Sequence, residues 1–253
     1  MTISIHQFAC LSDNYGFLVR DETSGLCAAI DTPDADAVLS QAQTQGWSID
    51  FIFNTHWHPD HAGGNAKIKE ATGARIIGPA EVRRIAPLDQ EVAGGERVAL
   101  GATIFEVIAT GGHTLQHVSY LAPADGVVFV GDTLFALGCG RLFEGDARQM
   151  WESLQKLAAL PDDTEVYCAH EYTASNARFA LSVDPSEELA QRSRAVFAAR
   201  EAGRPTVPTT IALEKATNPF LRAPLLAAAV GAAGKPDHEA FAAVRAAKDA
   251  FKG

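Results

Sequence analysis

Positive charge is scarce in this chain. Its 21 Lys and Arg are outnumbered by 31 Asp and Glu, a formal net charge of −10 with His neutral. A polyanion would meet a repelling field rather than a basic stripe, so no nucleic-acid partner is expected. Cysteine is also sparse. Cys10, Cys27, Cys139 and Cys168 lie far apart with no two-residue spacing, which matches neither a zinc ribbon nor a dense disulfide framework and suits a reducing cytoplasm. Long apolar runs are missing too: Val127 to Val130 and Leu225 to Val230 fall far short of the roughly 18 to 20 residues that cross a bilayer, so no membrane association is expected. The amino terminus carries no Lys or Arg ahead of its first apolar residues and no small-residue cleavage pattern. No secretory signal is expected, and the protein is placed in the cytoplasm.

What is present is ordinary globular composition, 47% apolar and 21% charged over 253 residues, enough for one large domain or a large domain with an appendage. Up to about His170, short β-rich runs alternate with helical stretches, the pattern of a layered α/β domain. Strands are expected at Ile3 to Phe8, Gly16 to Val19, Leu26 to Ile30, Phe51 to Asn54, Ala74 to Ile77, Thr103 to Ala109, Val118 to Leu121, Val127 to Val130 and Glu165 to Ala169. Helices are expected at Asp34 to Gln45, stopped by Gly46, and at Ala66 to Thr72, stopped by Gly73. After about Tyr172 the β signal disappears. Strong helix formers interrupted by prolines predict a helical appendage of about 80 residues, with the Ala-rich run Leu225 to Ala233 as one packed helix.

Several strands end in residues of chemical interest: Asp31, Thr55 with His56, Asp132 and His170. The densest signal is THWHPDH, Thr55 to His61, directly after an apolar strand. Three imidazoles and a carboxylate crowded this way would repel one another when protonated, and a bound cation is the natural reason to gather them. In an extended segment His56 and His58 point the same way. Asp60 and His61 lie beyond the turn at Pro59 and are directed differently, toward a second ion. A lone His after a strand is more often a hydrogen-bonded structural residue than a ligand, but beside this cluster His113 in TGGHT, Asp132 in GDT and His170 become ligand candidates. The expected division is His56, His58 and His113 for one ion, Asp60, His61 and His170 for the other, and Asp132 between them. His6 and His238 read as surface or packing residues, and His117 as a structural partner of the ligands.

The succession THWHPDH, GHT at Gly112 to Thr114, GDT at Gly131 to Thr133 and His170 resembles the metallo-β-lactamase superfamily. Within it, DNYGFLV at Asp13 to Val19, GDTLFALGCGRLFEG at Gly131 to Gly145, AHEYT at Ala169 to Thr173, NPFLR at Asn218 to Arg222 and VRAAKDAF at Val244 to Phe251 resemble the glyoxalase II, or hydroxyacylglutathione hydrolase, family. The resemblance implies an α/β fold, a metallo-β-lactamase-type αββα sandwich over residues 1–172 and a helical, glutathione-contacting domain over 173–253. It implies two divalent metal ions per chain, zinc foremost, with iron or manganese as alternatives. The implied reaction is hydrolysis of S-(2-hydroxyacyl)glutathione thioesters, chiefly S-(R)-lactoylglutathione, to glutathione and D-lactate by a metal-bridging hydroxide that Asp60 and Asp132 orient. This would be the second step of methylglyoxal detoxification, carried out by a cytoplasmic monomer on a small-molecule partner. Two ions contribute +4, the two aspartates −2 and the hydroxide −1, an excess of about +1 that favours developing negative charge. The resemblance assigns glutathione contacts to Arg141, Phe143, Tyr172, Arg245 and Lys248. Arg245 and Lys248, three apart on a predicted helix, share a face. The family commonly carries Lys where Arg141 stands and Tyr where Phe143 stands, so the charge is kept and a hydroxyl contact is lost. The rival within the superfamily is a persulfide dioxygenase that uses a single iron.

Overall fold

The amino-terminal hairpin pairs β1 (Ile3–Cys10) with β2 (Asn14–Asp21) without interruption, from Ile3 opposite Asp21 to Cys10 opposite Asn14. The structure is a computed structural model describing residues 2–253. β3 (Cys27–Ile30) adds to β2 in antiparallel fashion, and β4 (Ile49–Phe53), β5 (Arg75–Gly78) and the short β6 (Gln90–Glu91) follow in parallel. Parallel neighbours need crossovers. α1 (Ala35–Gln45) supplies the first, and α2 (Pro59–Ala62) with α3 (Asn65–Thr72) the second. The Asp34 side chain caps α1 by accepting from the N–H groups of Asp36 and Ala37, while Gly46 closes it at φ +67, a conformation that costs glycine little. Leu18, Ala29, Ile52 and Ile76 of the sheet and Val38, Ala42 and Ile68 of the helices form one buried cluster.

A second, antiparallel meander runs through β7 (Arg97–Leu100), β8 (Thr103–Ala109), β9 (Val118–Ala122) and β10 (Val127–Gly131). Every residue of β9 and β10 is buried. Aromatic rings join the two sheets: Phe17 meets Phe129 and Phe53 meets Phe105, each at 5.6 Å, and Phe53 meets Tyr120 at 5.4 Å. Offset and edge contacts of this kind fasten a sandwich core.

By packing, the chain divides into two compact units. One runs to Thr110 and includes Gln116–Gly131, and holds everything described so far; the other comprises Gly111–Leu115 and Asp132–Gly253. The expected division at 172 concerns role rather than packing and returns below.

The second unit contains a small hairpin of β11 (Leu134–Phe135) and β12 (Gly138–Cys139), α4 (Ala147–Ala158), and β13 (Glu165–Cys168) paired with β14 (Thr209–Thr210). Its helical tail comprises α5 (Thr173–Val183), α6 (Glu187–Glu201), α7 (Ile211–Thr217), α8 (Ala223–Leu226) and α9 (Asp237–Ala250). The tail clamps the β11–β12 hairpin. Glu214 is fully buried, and its carboxylate accepts from the Leu137 N–H at 2.9 Å, the Thr209 hydroxyl at 2.6 Å, the Asn218 amide at 2.8 Å and the Arg192 guanidinium. Asn218 also donates to the Phe135 and Gly138 carbonyls at 3.1 and 2.9 Å. The Glu214 carboxylate and the Asn218 amide thus both have partners, which is the condition for burying an ion pair without a large penalty.

Most expected elements form within one or two residues of their expected bounds. Two expectations are corrected. β14 lies beyond Tyr172, because a two-residue strand needs only backbone pairing with β13 and leaves no pattern of its own. Leu225 to Ala233 is not one helix: α8 ends at Leu226, Leu225 is exposed, and Gly231 and Gly234 adopt φ of +71 and +75, which ends helical continuation.

Candidate metal centre and ligand cavity

The first unit brings together the four polar residues of THWHPDH. β4 ends at Phe53, the chain bends at Thr55 and runs irregularly to His58, and Pro59 starts the single turn α2 that redirects Asp60 and His61. His56 Nε2 faces His58 Nδ1 at 3.0 Å, and His61 Nε2 lies 3.6 Å from Asp60 Oδ2. The far sides of the rings are anchored. His56 Nδ1 is 3.0 Å from the Thr55 hydroxyl, and His61 Nδ1 is 2.9 Å from the buried Asp31 carboxylate. Asn14 donates to Asp60 Oδ2 at 3.3 Å, which orients that carboxylate.

The second unit brings together His113, Asp132 and His170. The two Asp132 oxygens divide the work: Oδ2 lies 3.4 Å from His113 Nε2 and Oδ1 lies 3.3 Å from His170 Nε2. All three residues are buried. His113 Nδ1 donates to the Arg141 carbonyl at 2.9 Å, and the Tyr172 ring stacks on His170 at 4.7 Å with an interplanar angle of 2°. Gly140 is required here, since a Cβ would stand 2.0 Å from the Asp132 carbonyl oxygen.

The donor chemistry fits divalent metal. Two donors at about 2.05 Å from a tetrahedral ion are about 3.3 Å apart, and the facing donor atoms within each unit lie 3.0 to 3.6 Å from one another. Where the opposite ring nitrogen is tied to an oxygen acceptor, the inward nitrogen keeps its lone pair for a cation.

Beside His113 and Asp132, the second unit opens a cavity of about 470 Å³ whose wall includes Phe135, Cys139, Arg141, Phe143, Tyr172, Arg245 and Lys248. All five residues expected to contact glutathione line it. Ser175, Asn176, Asp249 and Phe251 line it too and were not anticipated: the first three are isolated polar residues on helices, which carry no signal of their own, and Phe251 lies just past the end of α9. Arg245 is buried rather than a solvated surface residue. It donates to the Cys139 carbonyl at 3.1 Å and to Asp249 at 2.8 Å, and lies over the Phe220 ring at 4.9 Å. Its Nε has no hydrogen-bond partner among the described residues. Lys248 donates to the Ser175 carbonyl and hydroxyl at 3.2 and 3.3 Å. Burial, with the nearby charges of Arg245 and Arg141, brings its pKa down to about 8. Cys139 is buried, and desolvation pushes its thiol up to about 11, which makes it a poor nucleophile.

His6 and His117 play the packing roles expected of them. His6 bonds Gln41 at 2.8 Å and stacks on Phe8, and His117 stacks on His56 at 4.9 Å. His238 bonds Arg148 at 3.2 Å. No described helix is long and apolar enough to cross a membrane.

Histidines and aspartates gathered at strand ends of a two-sheet sandwich define a metallo-β-lactamase-type protein, and the Metallo-beta-lactamase superfamily model matches residues 22–170. The model of the hydroxyacylglutathione hydrolase C-terminus matches residues 171–251. Hydroxyacylglutathione hydrolases of Erythrobacter litoralis and Maricaulis maris are 54% and 55% identical over 252 and 251 residues, covering 98% of this chain and 100% and 98% of theirs. The chain belongs to the hydroxyacylglutathione hydrolase family. Among solved structures, ETHE1 from Myxococcus xanthus matches with a TM-score of 0.70 at 28% identity, over 95% of this chain and 89% of that one. TTHA1623 in a di-iron-bound form matches with a TM-score of 0.63 at 26% identity, over 86% and 100%. The expected metallo-β-lactamase-type sandwich with a carboxy-terminal helical part is thereby borne out.

Proposed function

We propose that this protein hydrolyses S-(2-hydroxyacyl)glutathione thioesters, chiefly S-(R)-lactoylglutathione, releasing glutathione and D-lactate in the second step of methylglyoxal detoxification. The observation that carries the reading is the cavity in which His113 and Asp132 share a wall with Arg141, Arg245 and Lys248. It sets candidate metal ligands next to three cations on a chain of net charge −10, and the substrate class it suits combines a reactive acyl group with carboxylates. The full-length likeness to hydroxyacylglutathione hydrolases supports glutathione as the carrier. In this reading residues 1–172 form the metallo-hydrolase domain and 173–253 the glutathione-contacting domain.

The seven residues His56, His58, Asp60, His61, His113, Asp132 and His170 would hold two divalent ions, zinc foremost, with Asp132 between them. Such ions supply Lewis acidity and bring the pKa of water from 15.7 to about 7. The di-iron form of TTHA1623 supports a pair of ions. Asp60 and Asp132 orient the attacking oxygen. Arg141, Arg245 and Lys248 neutralise the glutathione carboxylates, and the Tyr172 hydroxyl contacts the cysteinyl part. The leaving thiolate has an ordinary pKa of about 8.5, so it departs without a general acid. The protein acts as a cytoplasmic monomer in this reading; its four cysteines are all free and buried, as a reducing compartment allows.

Elemental analysis joined to a thioester-cleavage assay on the same sample tests the reading. About two divalent ions per chain and oxygen-independent cleavage are expected; one iron per chain with oxygen consumption would replace the hydrolase with the dioxygenase. Sedimentation at assay concentration should give a species of about one chain mass.

Two smaller effects follow from the cavity. Because the Lys248 pKa is about 8, the charge that attracts a carboxylate is present below that pH and lost above it. KM for the thioester should rise severalfold between pH 8 and 9.5 while kcat stays flat, and Lys248→Met should start with a high KM and lose the pH dependence. Phe143 lies 5.2 Å from the His113 ring and is exposed. Phe143→Tyr restores the hydroxyl common in the family and should lower KM about two- to tenfold, one hydrogen bond of roughly 0.5 to 1.5 kcal/mol. An unchanged KM would show that water already fills that place.

A further inference from the structure

Among the described residues three non-glycine positions hold a positive φ: Leu11 at +50, Asp31 at +56 and Leu137 at +58. Asp31 and Leu137 are buried, whereas Leu11 is 56% exposed. Leu11 opens the turn of the first hairpin, between Cys10 and its partner Asn14. That backbone region costs a residue with a Cβ energy, and glycine, asparagine or aspartate takes it more cheaply. A leucine there also leaves an apolar side chain in water. A single exposed leucine is ordinary. Held at a strained angle it points to a role, since strain of this kind persists only where the surroundings over-determine it and gathers at functional sites.

The turn is docked beside a candidate metal ligand. Asn14, on the far side of the turn, donates through Nδ2 to the Asp60 carbonyl and to Asp60 Oδ2, at 3.3 Å each. β1 and β2 pair without a break up to Cys10 and Asn14, so the hairpin fixes where its tip stands. An apolar side chain is thereby held in solvent three residues from the one that grips Asp60. Leucine offers no hydrogen bond and cannot read a hydroxyl or a carboxylate. What it gains from is methylenes leaving water, an effect that grows with the length of an apolar chain. Resting on the reading above, in which Asp60 is a metal ligand of a thioester hydrolase, we infer that Leu11 is a specificity residue. Its side chain contacts the acyl chain of a thioester held at the metal centre and favours 2-hydroxyacyl groups with more apolar length.

Metal-loaded full-length protein is assayed with S-lactoylglutathione and with S-(2-hydroxyhexanoyl)glutathione, whose acyl chain is longer by three methylenes. Leu11→Asn removes the apolar side chain and tolerates the left-handed region. Leu11→Met keeps an apolar side chain of similar size. In Leu11→Asn, kcat/KM for the hexanoyl thioester should fall about 5- to 20-fold and for the lactoyl thioester about twofold. Leu11→Met should stay within about threefold of wild type on both. The melting temperature of Leu11→Asn should equal or exceed that of wild type, because the strain is relieved, so a loss of rate does not come from unfolding. Equal losses on the two thioesters mean that the turn acts through Asn14 on Asp60 and overturn the inference with the hydrolase reading intact. Wild-type kcat/KM on both does the same. A wild type that cleaves neither thioester removes that reading, and the inference with it.

Discussion

Asp132→Ala is expected to lower the rate of thioester cleavage by at least about a thousandfold and to strip metal from the purified protein. Asp132 is the one carboxylate within reach of two candidate ligands in its unit, at 3.4 Å from His113 Nε2 and 3.3 Å from His170 Nε2. It is delivered there by β10, whose last residue Gly131 adopts φ +46, with only 2.7 Å between an added Cβ and His117 Nε2. Loss of several kcal/mol of transition-state stabilisation at such a centre corresponds to about three orders of magnitude in rate. Alanine leaves the two imidazoles facing an empty space, so folding should suffer less than chemistry. The check is the initial rate of thioester absorbance loss alongside metal content. A variant within tenfold of wild type with its metals intact would remove Asp132 from the site.

Arg245→Met carries the second large effect, on binding rather than turnover. Methionine keeps much of the apolar stem over Phe220 and deletes the guanidinium, whose Nε is the donor left for a ligand. Charge-assisted hydrogen bonds contribute roughly 1.5 to 3 kcal/mol each, so KM for the glutathione thioester should rise on the order of ten- to a hundredfold with kcat changed less than about threefold. The variant also strands the Cys139 carbonyl and Asp249, so some loss of thermal stability is expected. Saturation kinetics separate the two. A fall in kcat with KM unchanged would mean that Arg245 shapes the β12 loop instead of holding substrate.

The candidate metal ligands were legible because the signal of THWHPDH is local. THWHPDH packs four donors into seven residues, and strand ends are visible from the apolar runs that precede them, so Asp31, His56, Asp132 and His170 stood out at once. The stops Gly46 and Gly73 were equally plain, since a helix end needs a particular residue at a particular offset, whereas Asp34 was read as the first helical residue and proves to be the cap. β7, with its exposed-buried alternation over only four residues, was too short to stand out. The Glu214 clamp was invisible for another reason: Glu214 reaches Leu137 across 77 positions, and no pattern near either residue announces the bond. Ser175, Asn176 and Asp249 entered the cavity in the same way.

The order of amino acids by itself determined which donors exist, that they exceed what a structural site needs, and that the chain repels polyanions, because composition and local spacing depend on nothing else. Tertiary structure alone decided which ring nitrogen of His61 and of His113 is tied back and which is presented. It also buried the Arg245 charge at the wall of a cavity. Both are set by partners distant in the chain, here Asp31 for His61 and the Arg141 carbonyl for His113, and a hydrogen bond takes its direction from where folding puts the acceptor.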